Sequence, residues 1–165
     1  MEKSMLENLG KLGRDKITDF EGIITGFAKH FFGCDSYLLT SKIKDGKSYC
    51  SVFDIGRIEI IGDGIATSEE LTNITRDENP QTSMIINLGK LGRDKVTGFE
   101  GIITAIAKYL YGCDSYFLTS KANEGKSGKT DKFDKGRIEI IGDGIELSEV
   151  QADKPGGEDL SSFFN

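Results

Sequence analysis

Self-similarity restricts what this chain can fold into more than any other feature of it. Shifted by 79 positions, Asn8 to Lys16 falls on Asn87 to Lys95 without a mismatch, Phe20 to Thr25 falls on Phe99 to Thr104, and Gly33 to Tyr37 falls on Gly112 to Tyr116. One extra residue enters the second copy between Ser127 and Lys132, after which Gly56 to Ile65 reappears unchanged as Gly136 to Ile145. Identity this dense marks the duplication of one supersecondary unit. The 165 residues therefore divide into two small units, 5–65 and 84–145. Between them, the polar segment 66–83 reads as a linker, and the acidic, glycine-containing stretch 146–165 reads as a flexible tail. A unit of about 60 residues buries only about 60% of the surface its unfolded chain exposes, so each copy is expected to lean on its twin or on another chain. A homo-oligomer is the default expectation.

Within each unit, short segments rich in Ile, Thr, Phe and Tyr alternate with Gly and Asp turns, the pattern of an all-β fold built as a small barrel or sandwich, with five strands per copy. In the first copy the strands are expected near 14–18, 22–32, 36–42, 52–54 and 57–61. Gly33-Cys34-Asp35 reads as a tight hairpin. Asp45-Gly46-Lys47 opens a longer loop whose content differs between the copies, which makes it the expected tip. A competing reading turns Gly22 to Gly33 into a helix, because Ile103, Ile106, Ala107 and Leu110 of the second copy also fit a helical stripe. Gly26 and the β-rich neighbours favour the strand.

Charge and hydropathy narrow the setting. Lys plus Arg number 21 against 27 Asp plus Glu, a net charge of -6 that opposes long-range attraction to a nucleic-acid backbone or an anionic membrane. No apolar run approaches the roughly 20 residues of a membrane-spanning helix, and Met1 to Asn8 lacks the apolar core of a signal peptide, so the host-cell cytoplasm is the expected location. Three cysteines, none in a Cys-x-x-Cys pair, are expected to be reduced thiols.

At Gly92-Arg93-Asp94-Lys95-Val96-Thr97-Gly98-Phe99-Glu100-Gly101-Ile102, followed by Gly112-Cys113-Asp114 and Gly136-Arg137-Ile138-Glu139-Ile140, the unit resembles a set of small bacteriophage and prophage proteins, usually about one unit long. The resemblance covers both copies and leaves out the linker and the tail. It implies a phage origin and an SH3-like or Sm-like small barrel, and it carries no functional residue with it. The first copy departs from the pattern at Asp19, where the second has Gly98.

The residues that could carry chemistry are few. The single histidine, His30, aligns with Tyr109, so the copies do not share a general base. Cys34 and Cys113 match, but no histidine partner is available in both units, and each reads as a small apolar residue filling a turn. Cys50 has no counterpart. Asp35, Asp63, Asp114 and Asp143 are spaced like no calcium loop, and Gly62-Asp63-Gly64 reads as a turn. Gly10 to Arg14 lacks the order of a phosphate-binding loop. The expectation is therefore a protein with no catalytic set, no metal and no cofactor.

What remains is a matched set of basic and aromatic positions: Arg14, Lys16, Phe20, Tyr37, Lys42 and Arg57, paired with Arg93, Lys95, Phe99, Tyr116, Lys121 and Arg137. As ligand-binding residues, the cations would bond phosphates and exposed rings would stack on bases. A pseudo-two-fold would set equivalent cations on both sides of one seam, which suits a ligand with two phosphates or two bases. The plainer alternative makes the aromatics core and the lysines solvated. The expected function is non-catalytic: a phage counter-defence protein that binds and sequesters a small anionic nucleotide immune signal. The alternatives are a protein-interaction module that inhibits a host defence enzyme by direct binding, and a minor virion or assembly component. Nucleic-acid binding is disfavoured.

Overall fold

The computed structural model describes residues 2–65, 85–122, 126–146 and 149. The expected linker and nearly all of the expected tail lie outside the described residues. The first repeat contains helix α1 (Glu2–Glu7), then β1 (Leu12–Asp15), β2 (Glu21–His30), β3 (Ser36–Thr40), β4 (Cys50–Asp54) and β5 (Ile58–Gly62). The second repeats the strands as β6 (Leu91–Asp94), β7 (Glu100–Tyr109), β8 (Ser115–Thr119), β9 (Thr130–Asp134) and β10 (Ile138–Gly142). A 3-10 turn, Ile55–Arg57 or Lys135–Arg137, precedes the last strand of each.

The fold is all-β and antiparallel, and the two repeats merge into one ten-stranded sheet. Within the first repeat the order is β5-β1-β2-β3-β4, and the second follows the same order. The merging depends on the length of β2. Its first residues, Glu21 to Ile23, pair with β1, which is too short to cover the rest. Beyond the register shift between Ile24 and Gly26, the same edge of β2 is free, and β7 takes it from Gly26 to His30. The pairing is antiparallel and centred on Ala28 opposite Ala107, which are equivalent positions in the two copies, so a local pseudo-two-fold passes between them.

The core follows the strand alternation. Ile24, Tyr37, Leu39 and Ile58 turn inward in the first repeat and are capped by Met5, Leu6 and Leu9, while Ile103, Ile106, Tyr116, Leu118 and Phe133 form the second cluster. The clusters are linked by exchange of side chains at the seam: Leu110 of the second repeat packs on the first cluster. In return, Phe31 of the first repeat, itself buried, lies against Gly89, where an added Cβ would come within 2.7 Å of its ring.

Several sequence-based expectations need correcting. The five strands of a repeat do not close into a barrel: among the described residues β4 pairs with β3 and β5 with β1, not with each other, and the free edge of β2 extends the sheet into the twin. The first strand ends at Asp15, because Lys16 to Thr18 form a turn closed by Asp19 N–H to the Asp15 carbonyl (2.9 Å). Gly33-Cys34-Asp35 belongs to a five-residue loop, 31–35, rather than a tight hairpin. Gly22 to Gly33 is a strand up to His30, as the β-rich neighbours suggested, and α1 was not anticipated. Asp45 and Gly46 do form a tip, both at positive φ (53° and 75°) between the mutually bonded Lys44 and Lys47, the geometry an Asp-Gly turn supplies.

Candidate functional site

Two of the four arginines expected to touch a ligand, Arg57 and Arg137, are committed to the fold. Arg57 reaches across from the end of the 3-10 turn to Asp15 and donates two hydrogen bonds, Nε to Oδ1 (2.9 Å) and Nη2 to Oδ2 (2.7 Å). Asp15 is fully buried and also accepts from the backbone N–H and hydroxyl of Thr18, at 2.9 and 2.6 Å. The guanidinium lies over the Phe53 ring (5.4 Å), which in turn meets Phe20 (5.4 Å). Arg137, Asp94, Thr97, Phe133 and Phe99 reproduce this clamp in the second repeat. The bidentate guanidinium, together with Thr18, holds the Asp15 carboxyl down at about 2 against the opposing effect of burial. Arg137 depresses Asp94 in the same way. A buried carboxylate must be paired and hydrogen-bonded, so these arginines fasten the β1–β2 turn to the strand that follows the 3-10 turn.

Tyr37 and Tyr116 are core residues, 4% and 2% exposed, and their hydroxyls accept from Asn8 (3.1 Å) and Asn87 (3.0 Å). They present no face on which a base could stack. Phe20 and Phe99 are half-buried against the core clusters. The plainer reading of the aromatics therefore describes their placement.

The remaining cations are exposed but dispersed. Arg14 bonds Glu21 (2.8 Å) and Arg93 bonds Glu100 (2.7 Å), each across its own β1–β2 or β6–β7 ladder. Glu21 stands seven residues from Ala28 along β2, and Glu100 the same from Ala107 along β7. At about 3.3 Å per residue, the two pairs sit at opposite ends of roughly 45 Å of ladder, so they do not flank one seam. Lys16 donates to the Gly56 carbonyl (3.2 Å), and Lys42, Lys95 and Lys121 are exposed. The seam itself carries an equivalent pair of cations, Lys29 and Lys108, among Gly26, Phe27, Ala28, Ile106 and Tyr109, and these are paired with Asp35 (2.9 Å) and Asp114 (3.0 Å).

Nor do the other candidates assemble a reactive group. His30 shares its Nε2 with the Ser36 hydroxyl (3.2 Å), and its backbone N–H donates to Asp35. Cys34 and Cys113 are exposed in their loops rather than filling them, and Cys50 contacts the Thr40 hydroxyl (2.9 Å). In the Gly10 to Arg14 stretch, the Gly10 and Lys11 amides donate to the Ile24 and Asn8 carbonyls, which takes them away from any phosphate.

Among the described residues, a concave feature with ligand-sized dimensions lies in the first repeat. It is an open cleft of about 500 Å³ between the β1–β2 edge, at Leu12, Glu21 and Gly22, and the loop carrying Lys42, Ile43, Lys44 and Tyr49. Of the sequence-predicted site residues it contains Lys42, and its lining residue Glu21 is bonded to Arg14. Ile43, Lys44 and Tyr49 were not singled out from the sequence. The signal was present, since this loop is where the copies diverge most: Ile43 aligns with Ala122 and Tyr49 with Lys129.

Family models, curated proteins and solved structures were each compared with the chain, and none matches it.

Proposed function

We propose that this chain is a non-catalytic sequestering protein and that the first-repeat cleft holds a small anionic nucleotide. The observation that carries the reading is the pairing, in one cleft of about 500 Å³, of two exposed ammonium groups, Lys42 and Lys44, with the 60% exposed ring of Tyr49. Volumes of roughly 300–1,000 Å³ hold small ligands. Ammonium groups suit phosphates, and an exposed phenol ring suits stacking on a base. Of the groups suited to acid–base work, Asp15 and Asp94 are engaged in clamps and His30 with Ser36. A sponge needs affinity alone. The phage-like strings at Gly92 to Ile102 and Gly136 to Ile140 support a counter-defence setting, with an immune signal as the nucleotide. The strand order β5-β1-β2-β3-β4 with a 3-10 turn before β5 supports an SH3-like or Sm-like ancestry for each repeat, left open between β4 and β5.

The test is thermal melting against a panel of cyclic and ADP-ribose-derived nucleotides. A ligand at about 100 times its Kd adds about 2.7 kcal/mol of stability. A rise in Tm with one compound, lost in Tyr49→Ala and in Lys42→Ala with Lys44→Ala, is the expected result. No shift with any member of the panel overturns the reading.

A second reading, inhibition of a host enzyme by direct binding, is favoured by a different observation. Val52 stands 66% exposed on β4, which has no partner on its outer edge among the described residues, and Ile43 beside the cleft is 77% exposed. An apolar, unpaired edge is a template for strand addition by another polypeptide.

A further inference from the structure

Between residues 22 and 37 the two copies differ at Gly26, Phe27, His30, Phe31 and Phe32 alone, which align with Ala105, Ile106, Tyr109, Leu110 and Tyr111. That run is the part of β2 and its following loop that meets the other repeat. Pairing sets Gly26 opposite Tyr109 and His30 opposite Ala105. The larger ring thus sits over glycine and the smaller ring over alanine. The fit at Gly26 is close: a Cβ there would lie 3.0 Å from the Tyr109 ring and 3.0 Å from the Lys108 carbonyl oxygen. Two copies of the second repeat paired the same way would set alanine against tyrosine at both ends, crowding each. Two copies of the first would set glycine against histidine at both ends, leaving each underfilled. Packed interiors penalise both errors, because density there tolerates neither an extra methyl nor a gap.

The asymmetry extends past the register pairs. The backbone bonds across the seam are symmetric, Phe31 N–H to the Thr104 carbonyl and Leu110 N–H to the Thr25 carbonyl, both 2.8 Å. The side chains are not: Phe31 covers Gly89, whereas Leu110 joins the first core cluster. Lys132 lies over the Tyr109 ring (4.6 Å), and the equivalent position in the first repeat is Val52.

We propose that the seam is a selective pairing surface: the outer half of β2 is shaped to take β7 of the second repeat in preference to a second copy of itself. The duplication thus turned a self-complementary edge into two unlike, mutually complementary ones, and the partner this surface fits is the other repeat. The proposal is independent of what the cleft binds.

The experiment is a reciprocal exchange in the full chain. One variant gives the first repeat the second's residues, Gly26→Ala with His30→Tyr. Another gives the second repeat the first's, Ala105→Gly with Tyr109→His. The third carries all four changes. Each one-sided variant is expected to lower Tm by about 3 °C or more. The four-residue variant is expected to recover at least half of the summed loss, because glycine again faces tyrosine and alanine again faces histidine. A four-residue variant whose loss equals or exceeds the sum overturns the proposal. If a one-sided variant does not fold, a four-residue variant that folds with a Tm close to the parent's supports it, and one that also fails to fold overturns it.

Discussion

The two repeats share a strand order and a buried clamp, and they part company at their outer edges. In the second repeat, edge strand β9 carries Asp131 and Lys132, with Lys129 before it bonded to Asp131 (2.6 Å). In the first, the corresponding residues are Ser51, Val52 and Tyr49. Charges on an edge strand keep other chains from adding to it, so one repeat has a guarded edge and the other an open one. Beneath this difference runs a row of side-chain contacts across three strands: the hydroxyls of Thr104, Thr119 and Thr130 at 2.8 Å spacings, and the hydroxyls of Thr25 and Thr40 with the Cys50 thiol at 2.8 and 2.9 Å. The clamp has been kept in both copies, and the edge strands differ.

The comparison is broken most forcefully at the clamp. Arg57→Ala leaves the buried Asp15 carboxylate without its bidentate partner, and Arg137→Ala does the same to Asp94. Each is expected to lower Tm by more than about 5 °C. Because β2 and β7 share a ladder, each variant should still unfold in one transition seen identically by circular dichroism and tyrosine fluorescence. Two separated transitions would mean that the repeats are independent.

Acid probes the same feature. The Asp15 carboxyl is held at about 2 in the fold against an ordinary value of 3.8, so the stability it contributes is complete above about pH 4 and is lost as pH falls through about 2. Asp94 acts with the same sign. Melting temperature should therefore drop on acidification from pH 4 to 2, and Asp15→Asn with Asp94→Asn should be less stable at pH 7 and flatter over that interval. A double variant as acid-sensitive as the parent would assign the effect to other carboxylates.

Exchanging the edges sharpens the contrast with little effect on stability. Val52→Lys should leave Tm within about 1 °C of the parent and reduce any concentration-dependent self-association seen by light scattering. Lys132→Val should increase it.

The smallest effect is expected at the β1–β2 turn. Asp19 is held at φ 56° where the second repeat has Gly98 at φ 73°. Glycine adopts this region without a Cβ penalty, so Asp19→Gly should gain up to about 1 kcal/mol in urea unfolding and Gly98→Asp should lose a similar amount. A loss on Asp19→Gly would show that the aspartate side chain contributes something the glycine repeat lacks.

The sequence by itself determined the duplication, the all-β class and the Asp45-Gly46 tip, whereas Gly33-Cys34-Asp35 reads as a tight hairpin and lies in a longer loop. Repetition is visible in the residues, and Asp45-Gly46 or Gly98 answers to backbone sterics that act within a few residues of chain. The long β2 and β7 were legible too, as runs of Ile and Thr, although their ends were misplaced by one or two residues. The candidate site was only partly legible. Lys42 was named, whereas Tyr49 and Lys44 stood in a divergent loop without a motif. The roles of Arg57, Arg137, Tyr37 and Tyr116 were decided by the tertiary structure alone. An arginine reads the same in sequence whether it faces solvent or a buried aspartate, and Arg57 lies 42 residues from Asp15. The joining of the two sheets was likewise beyond the sequence: it follows from β1 being shorter than β2, which leaves a length of unsatisfied backbone edge, and from the other repeat being the nearest strand able to pair with it.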